Sequence, residues 1–271
     1  MQQFDEMQFG TGCIPSKKDI RDYRLNKKVC KATNLPIEFS VEHSPIKNQG
    51  NVGSCVAHSV TEVLEQIGGN KVPYSTAWIY GYRPFGYLQG EGMMTSQALK
   101  TTTKVGCIKY YDCPGNYEMP AAKEYITKKL DHYKELANRD KATTYARLYS
   151  TTEIKEAIYK TGKPVIVCIL VNGLRLDENY IAQKPTSLGG GHAVVCYGWN
   201  ERGLLIQNSW GERWGNKGCF ILPYNYGFTE AWVLTKEDGI TTKPTGFAIR
   251  EALVGIAKAF VELINKIFKK K

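Results

Sequence analysis

The chain has 271 residues, of which 42% are apolar and 23% are charged, and this usage is ordinary for globular proteins. The composition excludes a disordered or collagen-like chain, and no uncharged apolar run reaches the length of about 18 residues that a membrane-spanning helix needs. The 36 Lys and Arg residues against 26 acidic residues give a net charge of +10. Such a charge fits either an anionic partner or a solvated basic surface.

The first half of the chain carries mainly helical patterns. Residues 1–34 are polar and turn-rich and predict a surface arm, and 35–46 predict an extended stretch. A helix is predicted to begin at Cys55, because apolar residues then recur at three- and four-residue steps until Gly68. The remaining helical predictions cover 75–83, 95–105, the charged and exposed segment 118–147, and 153–161.

The second half carries mainly strand patterns. Apolar and β-branched runs separated by glycine turns predict strands over 164–171, 193–199, 203–208, 218–223 and 230–234. Helices first and strands later predict an α+β protein with a helical lobe and a sheet or barrel lobe. A groove between two such lobes is a common place for an active site.

The C-terminal segment 245–271 carries six basic and two acidic residues, so a large share of the net charge lies there. Residues 247–268 predict a cationic amphipathic helix. One interpretation is a helix that lies on an anionic membrane surface. The other is a helix that packs on its own body or on a partner subunit. No nucleic-acid module is recognisable, so nucleic acid is not an expected partner.

Cysteine spacing indicates which cofactors to expect, and the N-terminal sequence indicates where the protein is located. None of the eight cysteines forms a C-x-x-C pair, and the four histidines add no zinc-binding spacing, so neither a metal nor a cofactor is predicted. The first six residues lack the basic and apolar regions of a signal peptide. We therefore expect a cytoplasmic or virus-associated protein rather than a secreted one.

Three short segments carry the residue types of nucleophilic catalysis. Cys55 follows a glycine-rich turn at a predicted helix start, where the helix dipole favours a thiolate. His192 follows three glycines at the start of a strand, and Asn208 precedes Trp210. Each residue alone could be structural. Together they supply a nucleophile, a base and an amide that can orient the base.

These segments resemble the papain family of cysteine proteases. The resemblance rests on 49–57, on 190–194 and on 208–215, and it extends over about 35–235. His192 follows Cys55 by 137 residues, within the spacing of about 130–150 that is typical of the family. The resemblance implies a papain-like two-lobe α+β fold in 35–244. It has a helical lobe at about 46–118, a β-barrel-like lobe at about 119–244, and the active-site groove between them.

The resemblance also implies a role for each matching residue. Cys55 would be the nucleophile, and His192 would be the base that later protonates the leaving amine. Asn208 would orient His192, and the Gln49 side chain would form the oxyanion hole with the Cys55 N–H. The residues expected to line the substrate groove are Gly53, Ser54, Gly191 and Trp210, of which Trp210 would also shield the histidine–asparagine pair.

Two departures from the family pattern bear on regulation and disulfides. Val52 stands where many members have a disulfide cysteine, and 90–94 replace the usual glycine-cysteine-glycine segment, so the usual disulfide is not expected. Residues 14–23 resemble the short leader of bacterial and viral members. With only 34 residues before the mature-like start, we expect constitutive activity or a minimal pro-segment.

The sequence thus predicts a thiol-dependent endopeptidase that hydrolyses peptide bonds in a protein or peptide through a Cys thioester. One alternative uses the same acyl-enzyme for peptide ligation or transamidation. A more distant alternative is an inactive papain-like binding scaffold, against which the presence of Cys55, His192, Asn208 and Gln49 argues.

Overall fold

A computed structural model describes residues 9–20, 22–32, 34–69, 73–83, 91–113, 130–142, 144–185 and 189–243. Among these, no helix is both long enough and apolar enough to span a bilayer. The predicted amphipathic helix over 247–268 lies outside the described residues, so its membrane or subunit role stays a prediction.

The longer helices lie mainly in the first half of the chain and the longer strands in the second half, and several short strands that were not predicted lie in the first half. The helices are α1 (Lys27–Cys30), α2 (Cys55–Ile67), α3 (Thr76–Gly81), α4 (Thr95–Lys104), α5 (Leu130–Asn138) and α6 (Thr151–Thr161). The strands are β1 (Cys13–Ile14), β2 (Arg24–Leu25), β3 (Phe39–Ser40), β4 (Met93–Met94), β5 (Thr144–Leu148), β6 (Val165–Val171), β7 (Gly190–Asn200), β8 (Gly203–Gln207), β9 (Cys219–Pro223), β10 (Glu230–Thr235) and β11 (Thr241–Thr242).

Nine of these strands form one sheet in the described part of the chain. Its order is β11-β2-β5-β10-β6-β7-β8-β9, and β3 pairs with β7 outside this path. Strands β6 to β9 form an antiparallel meander, and the β6–β7 register places His192 opposite Ile169. The β7–β8 register sets Val195 opposite Gln207, so the residue after β8 lies near the start of β7.

Two apolar cores lie on the two sides of this sheet. Helix α2 packs across β6 and β7. Its buried side chains Val56, Val60 and Leu64 share the first core with Ile166, Val195 and Trp232 of the sheet. Helix α6 covers the opposite face, where the second core includes Ile154, Ile158, Val165, Val167 and Phe220. Each fully buried aliphatic side chain contributes about 1.5–3 kcal/mol to folding. Cores of this size fix the helical lobe against the sheet.

The prediction of one exposed helix over 118–147 is wrong at its C-terminal end. Thr144–Leu148 forms strand β5 between β2 and β10, and Arg147 in it is only 3% exposed. Its guanidinium donates to Asp22 at 3.3 Å and to Glu230 at 3.2 Å. The buried charge is therefore compensated inside the fold, which a charged sequence pattern does not reveal.

The predicted surface arm is attached to the body more closely than its composition indicates, in the described part of 1–34. Strand β2 joins the large sheet between β11 and β5, and Cys13, Leu25 and Cys30 are buried. The arm has few apolar residues, so its composition resembles that of a surface segment. Its contacts are made largely by backbone groups, as described below.

Helix α2 buries a carboxyl group that has no hydrogen-bond partner among the described residues. Glu62 is 1% exposed, and neither of its side-chain oxygens accepts a hydrogen bond. Burial raises the pKa of Glu62 to about 8. On the same helix, Glu65 is also buried but accepts from Lys47 Nζ at 2.6 Å and from the Tyr74 N–H at 3.0 Å.

We expect Glu62→Met to stabilise the fold at pH 8 and to have little effect near pH 4.5. The folded pKa lies above the ordinary value of 4.5, so the carboxyl destabilises the fold as pH rises between these two values, by up to about 1.4 kcal/mol per pH unit. Chemical denaturation at pH 5 and pH 8 measures the difference. Glu65→Met is the matched control, and it should destabilise at both values. An effect of Glu62→Met that is equal at both pH values would contradict the assignment.

Candidate active site

Cys55 is the first residue of α2 and is completely buried. Burial raises the pKa of Cys55 to about 12, and the nearby Cys13 sulfur acts in the same direction. Backbone hydrogen bonds to Ala193, Val56 and Gly12 oppose this shift. In this conformation Cys55 is therefore a protonated thiol, although it lies at a helix N-terminus that favours the thiolate.

His192 lies in β7, and Asn208 directly follows β8. The two side chains meet at 2.8 Å between His192 Nε2 and Asn208 Oδ1. Asn208 Oδ1 also accepts from the Ser209 N–H at 2.8 Å, which fixes it as the oxygen end of the amide. His192 therefore donates through Nε2, and Nδ1 carries the lone pair of the neutral ring.

The lone pair on His192 Nδ1 is free to act as a base. This nitrogen is buried and has no hydrogen-bond partner among the described residues. Burial lowers the pKa of His192 to about 4, and the hydrogen bond to Asn208 opposes that shift. His192 is therefore a neutral imidazole in this covered conformation.

Trp210 covers the histidine–asparagine pair. Its ring stacks on His192 with centroids 4.5 Å apart, and Phe9 stacks on Trp210 at 4.9 Å. Trp214 meets the edge of Trp210 at 5.1 Å. These rings leave no room for water over the imidazole.

The Gln49 side chain points one N–H at a peptide carbonyl in the groove. Its Nε2 donates to Gly10 O at 2.9 Å and to Val52 O at 2.8 Å, and its Oε1 accepts from Ser209 Oγ at 2.6 Å. The serine therefore fixes the amide orientation. An amide held in this way is a preorganised donor of the kind that stabilises an oxyanion.

Residues 9–14, the groove segment, run through the site and bond to both of its walls. The Gly12 N–H donates to Gly191 O at 3.0 Å, and Gly12 O accepts from the Met93 N–H at 2.9 Å. The Gly10 N–H donates to Gly50 O at 3.0 Å. Strand β1 in this segment pairs in parallel with β4. The groove segment is thus held largely by main-chain hydrogen bonds.

Glycines allow this close approach. A Cβ atom at Gly12 would lie 2.2 Å from Gly53 O, and a Cβ atom at Gly191 would lie 2.0 Å from Cys13 O. Both neighbours are backbone atoms that cannot rotate away. Glycine is therefore required on each side of the contact.

The predicted groove residues are brought together, with one exception. Gly53, Gly191 and Trp210 all contact the groove segment, Trp210 by donating from Nε1 to Gly10 O at 3.3 Å. Ser54 is buried, and its hydroxyl lies 3.3 Å from His58 Nδ1. His58 itself is a fully buried residue of α2.

An open groove continues beside the covered site, with a volume of about 1160 Å³. Its walls include Asn48, Asn51, Trp210 and Glu212. The groove segment contributes Phe9 and its neighbours to this lining. Space for a polypeptide therefore extends beyond Trp210 along the groove.

Glu91 belongs to the site, although the sequence pattern marks it only as part of 90–94, the segment that departs from the family pattern. Its Oε2 accepts from the Gly53 N–H at 2.7 Å and from Tyr80 Oη at 2.8 Å. It thereby joins the loop before Cys55 to the wall that carries β4. The available signal was a lone acidic residue between two glycines, Gly90 and Gly92.

Comparison with known proteins identifies this arrangement. The family model described as "Papain family cysteine protease" matches residues 38–231. The chain belongs to the papain family of cysteine proteases. The predicted family, the papain-like α+β fold and the class of cysteine-type peptidase are confirmed.

Viral, plant and bacterial proteins are among the relatives. An uncharacterized peptidase C1-like protein of Acanthamoeba polyphaga mimivirus is 26% identical over 211 residues, which are 66% of this chain and 64% of that protein. Mexicain of Jacaratia mexicana is 25% identical over 195 residues, which are 65% of this chain and 80% of mexicain. The chain thus spans less than two thirds of the mimivirus relative.

Among solved structures, xylellain, a cysteine protease from Xylella fastidiosa, superimposes with a TM-score of 0.70 at 26% identity. The match covers 88% of this chain and all of that one. Bromelain from Ananas comosus superimposes with a TM-score of 0.56 at 19% identity and supports the fold alone.

We expect Gly12→Ala to raise the rate at which iodoacetamide alkylates Cys55 by at least about tenfold. The added methyl group displaces the groove segment, water reaches the sulfur, and the burial that raises its pKa is relieved. Peptide mapping by mass spectrometry assigns the alkylated cysteine. Ile14→Ala, at an exposed position of the same segment, should leave the rate unchanged. Equal rates in the wild type and Gly12→Ala would show that the groove segment does not protect Cys55.

Proposed function

We propose that this chain hydrolyses peptide bonds with Cys55 as nucleophile and His192 as base, once the groove segment has left the site. The observation that carries the proposal is the hydrogen bond from His192 Nε2 to Asn208 Oδ1. It fixes the tautomer in which Nδ1 can take a proton, on a ring buried in the groove wall. The substrate class is a protein or peptide.

The chemistry follows from these groups. With the groove segment gone, the pKa of Cys55 falls because burial is the main cause of its rise, and its proton passes to His192 Nδ1. The thiolate attacks the carbonyl carbon of the substrate, and the oxyanion accepts from Gln49 Nε2 and from the Cys55 N–H, which is one of the unpaired donors at a helix start. His192 then protonates the leaving amine. Water hydrolyses the thioester that remains.

In a Gly12→Ala background, which opens the groove, we expect Cys55→Ala to abolish hydrolysis of a fluorogenic peptide. Gln49→Ala should lower kcat by about 100-fold, because one oxyanion donor is lost. Cys30→Ser is the matched control, since Cys30 is also buried but belongs to the second core rather than to the core of Cys55, and it should keep full activity. Retained hydrolysis in Cys55→Ala would exclude the mechanism.

The same assay separates the alternatives to hydrolysis. Adding an amine acceptor and weighing the products by mass spectrometry detects transfer of the acyl group to the amine. An open variant whose Cys55 is readily alkylated, but which neither hydrolyses nor transfers, would instead be a binding scaffold.

We also propose that the groove segment inhibits the enzyme without being cleaved. A scissile carbonyl must face the Gln49 amide and the Cys55 sulfur at the same time. Here the Gln49 amide is occupied by the Gly10 carbonyl, whereas the groove-segment residue whose backbone lies beside the Cys55 sulfur is Gly12. The groove segment therefore fills both positions with different peptide units. This assigns residues 1–34 the role of a minimal inhibitory pro-segment rather than that of a neutral leader.

We expect kcat/KM for a peptide substrate to rise in the order wild type, Phe9→Ala, Gly12→Ala. Loss of the Phe9 stack on Trp210 removes about 0.5–1.5 kcal/mol, which increases the open population roughly two- to tenfold. Gly12→Ala prevents the groove segment from lying in the groove at all. Equal kcat/KM values in the three proteins would exclude inhibition by the arm and would leave the peptidase proposal intact.

A further inference from the structure

Three metal-binding side chains from distant parts of the chain meet where the groove segment joins the body. The ligand atoms of Cys13, Cys168 and Glu230 all lie within 4.8 Å of one another. Cys13 is 5% exposed, Cys168 is fully buried, and Glu230 is 3% exposed. The proposed hydrolysis uses none of them.

The sheet fixes two of these groups in advance. Cys168 in β6 and Glu230 in β10 are directly paired in the antiparallel register, so their side chains leave the same face of the sheet side by side. Cys13 comes from β1 of the groove segment. The cluster is therefore complete only when the groove segment is seated.

The spacing of the cluster suits a tetrahedral ion. Thr95 Oγ1 lies 3.7 Å from Cys13 Sγ and 3.2 Å from Cys168 Sγ, and Cys13 Sγ lies 4.0 Å from Glu230 Oε1. A tetrahedral zinc centre with bonds of about 2.0–2.3 Å separates its ligands by roughly 3.3–3.8 Å. All ligand atoms of the cluster lie within 4.8 Å of one another, so shifts of at most about 1 Å would bring them to these separations.

We propose that Cys13, Cys168 and Glu230 bind a divalent cation of the zinc class, with the Thr95 hydroxyl in the fourth position. Two thiolates and one carboxylate are a donor set that zinc prefers over magnesium or calcium. The ion would link the groove segment to β6 and β10 beside the catalytic cysteine.

The neighbours of Glu230 orient its carboxylate so that it can coordinate an ion. Arg147 Nη1 donates to Oε2 at 3.2 Å, and Ser16 donates to Oε1 from its backbone N–H at 3.4 Å and from Oγ at 3.1 Å. Such outer contacts orient the carboxylate of a metal site. The Cys13 thiol donates to the same Oε1, and the ion would replace that proton.

The exchange of protons for the ion adds no net charge to this buried region. Each cysteine loses one proton when it becomes a ligand, so two protons leave as one divalent cation enters. The charges of Glu230, Arg147 and Asp22 are unaffected. The usual penalty for burying an uncompensated charge is thereby avoided.

The consequence for regulation rests on the proposed inhibition by the groove segment. Cys13 directly follows Gly12, the residue that contacts Cys55. An ion bound to Cys13 would therefore stabilise the inhibited form, and its removal by a chelator would favour release of the groove segment.

The test uses the full chain carrying Cys55→Ala, so that the catalytic thiol cannot bind metal and no activity is needed. Zinc is titrated in competition with a chromophoric chelator. We expect one equivalent to bind, and we expect Cys13→Ser or Cys168→Ser to weaken binding by at least about 100-fold. Cys30→Ser and Cys196→Ser are matched controls at buried cysteines outside the cluster, and they should bind like the parent.

Two further measurements on the same parent protein need no second substitution. Cobalt(II) should produce a thiolate-to-cobalt charge-transfer band with the intensity of two thiolates. Zinc should slow amide hydrogen exchange in residues 9–20 by at least about tenfold. Absence of zinc uptake, binding that does not depend on Cys13 and Cys168, or a mass loss of about 2 Da from a disulfide between them would each overturn the proposal. Because the protein is inactive, none of these results bears on the peptidase proposal.

Discussion

The packing of helix α2 across strands β6 and β7 is the constraint on which the rest of the structure depends. It places the N-terminus of α2, with Cys55, against the strand that carries His192. Cys55 belongs to the core that holds Val56, Val60 and Val195, and His192 is fully buried beside it in the sequence position before Ala193 of that core. Because this core is apolar and closely packed, Cys55 and His192 are both positioned by regular secondary structure rather than by flexible loops. The adjacent β7–β8 pairing then supplies Asn208 at hydrogen-bonding distance.

The same packing produces a groove that accepts bare backbone. Gly53 and Gly191 line it on opposite sides, and Gly12 crosses between them. Such a surface recognises main-chain N–H and C=O groups rather than particular side chains. That property suits a peptidase, whose substrate must present its peptide bonds, and it equally suits a segment of the chain itself.

Much of this arrangement could be predicted from the sequence. Helix α2 and strands β6 to β10 carry strong periodic patterns bounded by glycines, and Gln49, Cys55, His192 and Asn208 lie in local sequences that resemble one family. Strand β5 was missed because Arg147 looks exposed when its partners Asp22 and Glu230 are far away in the sequence. The burial of the arm was missed because glycine backbone contacts leave no apolar pattern. The cysteine–glutamate cluster has no sequence spacing at all, since its ligands meet only through the sheet register and the seated groove segment.

Strand β2 gives the arm a second, separate attachment. Arg24 and Leu25 pair within the large sheet, while residues 9–14 lie in the groove, so the arm is held at two separate places. A groove segment that leaves the site remains tethered by the short stretch between them. Short tethers give effective concentrations in the millimolar range. Under the proposed inhibition, the arm would act as a tethered competitor: dilution would not remove it, and a substrate would gain access either by outcompeting it or after the tether is cut.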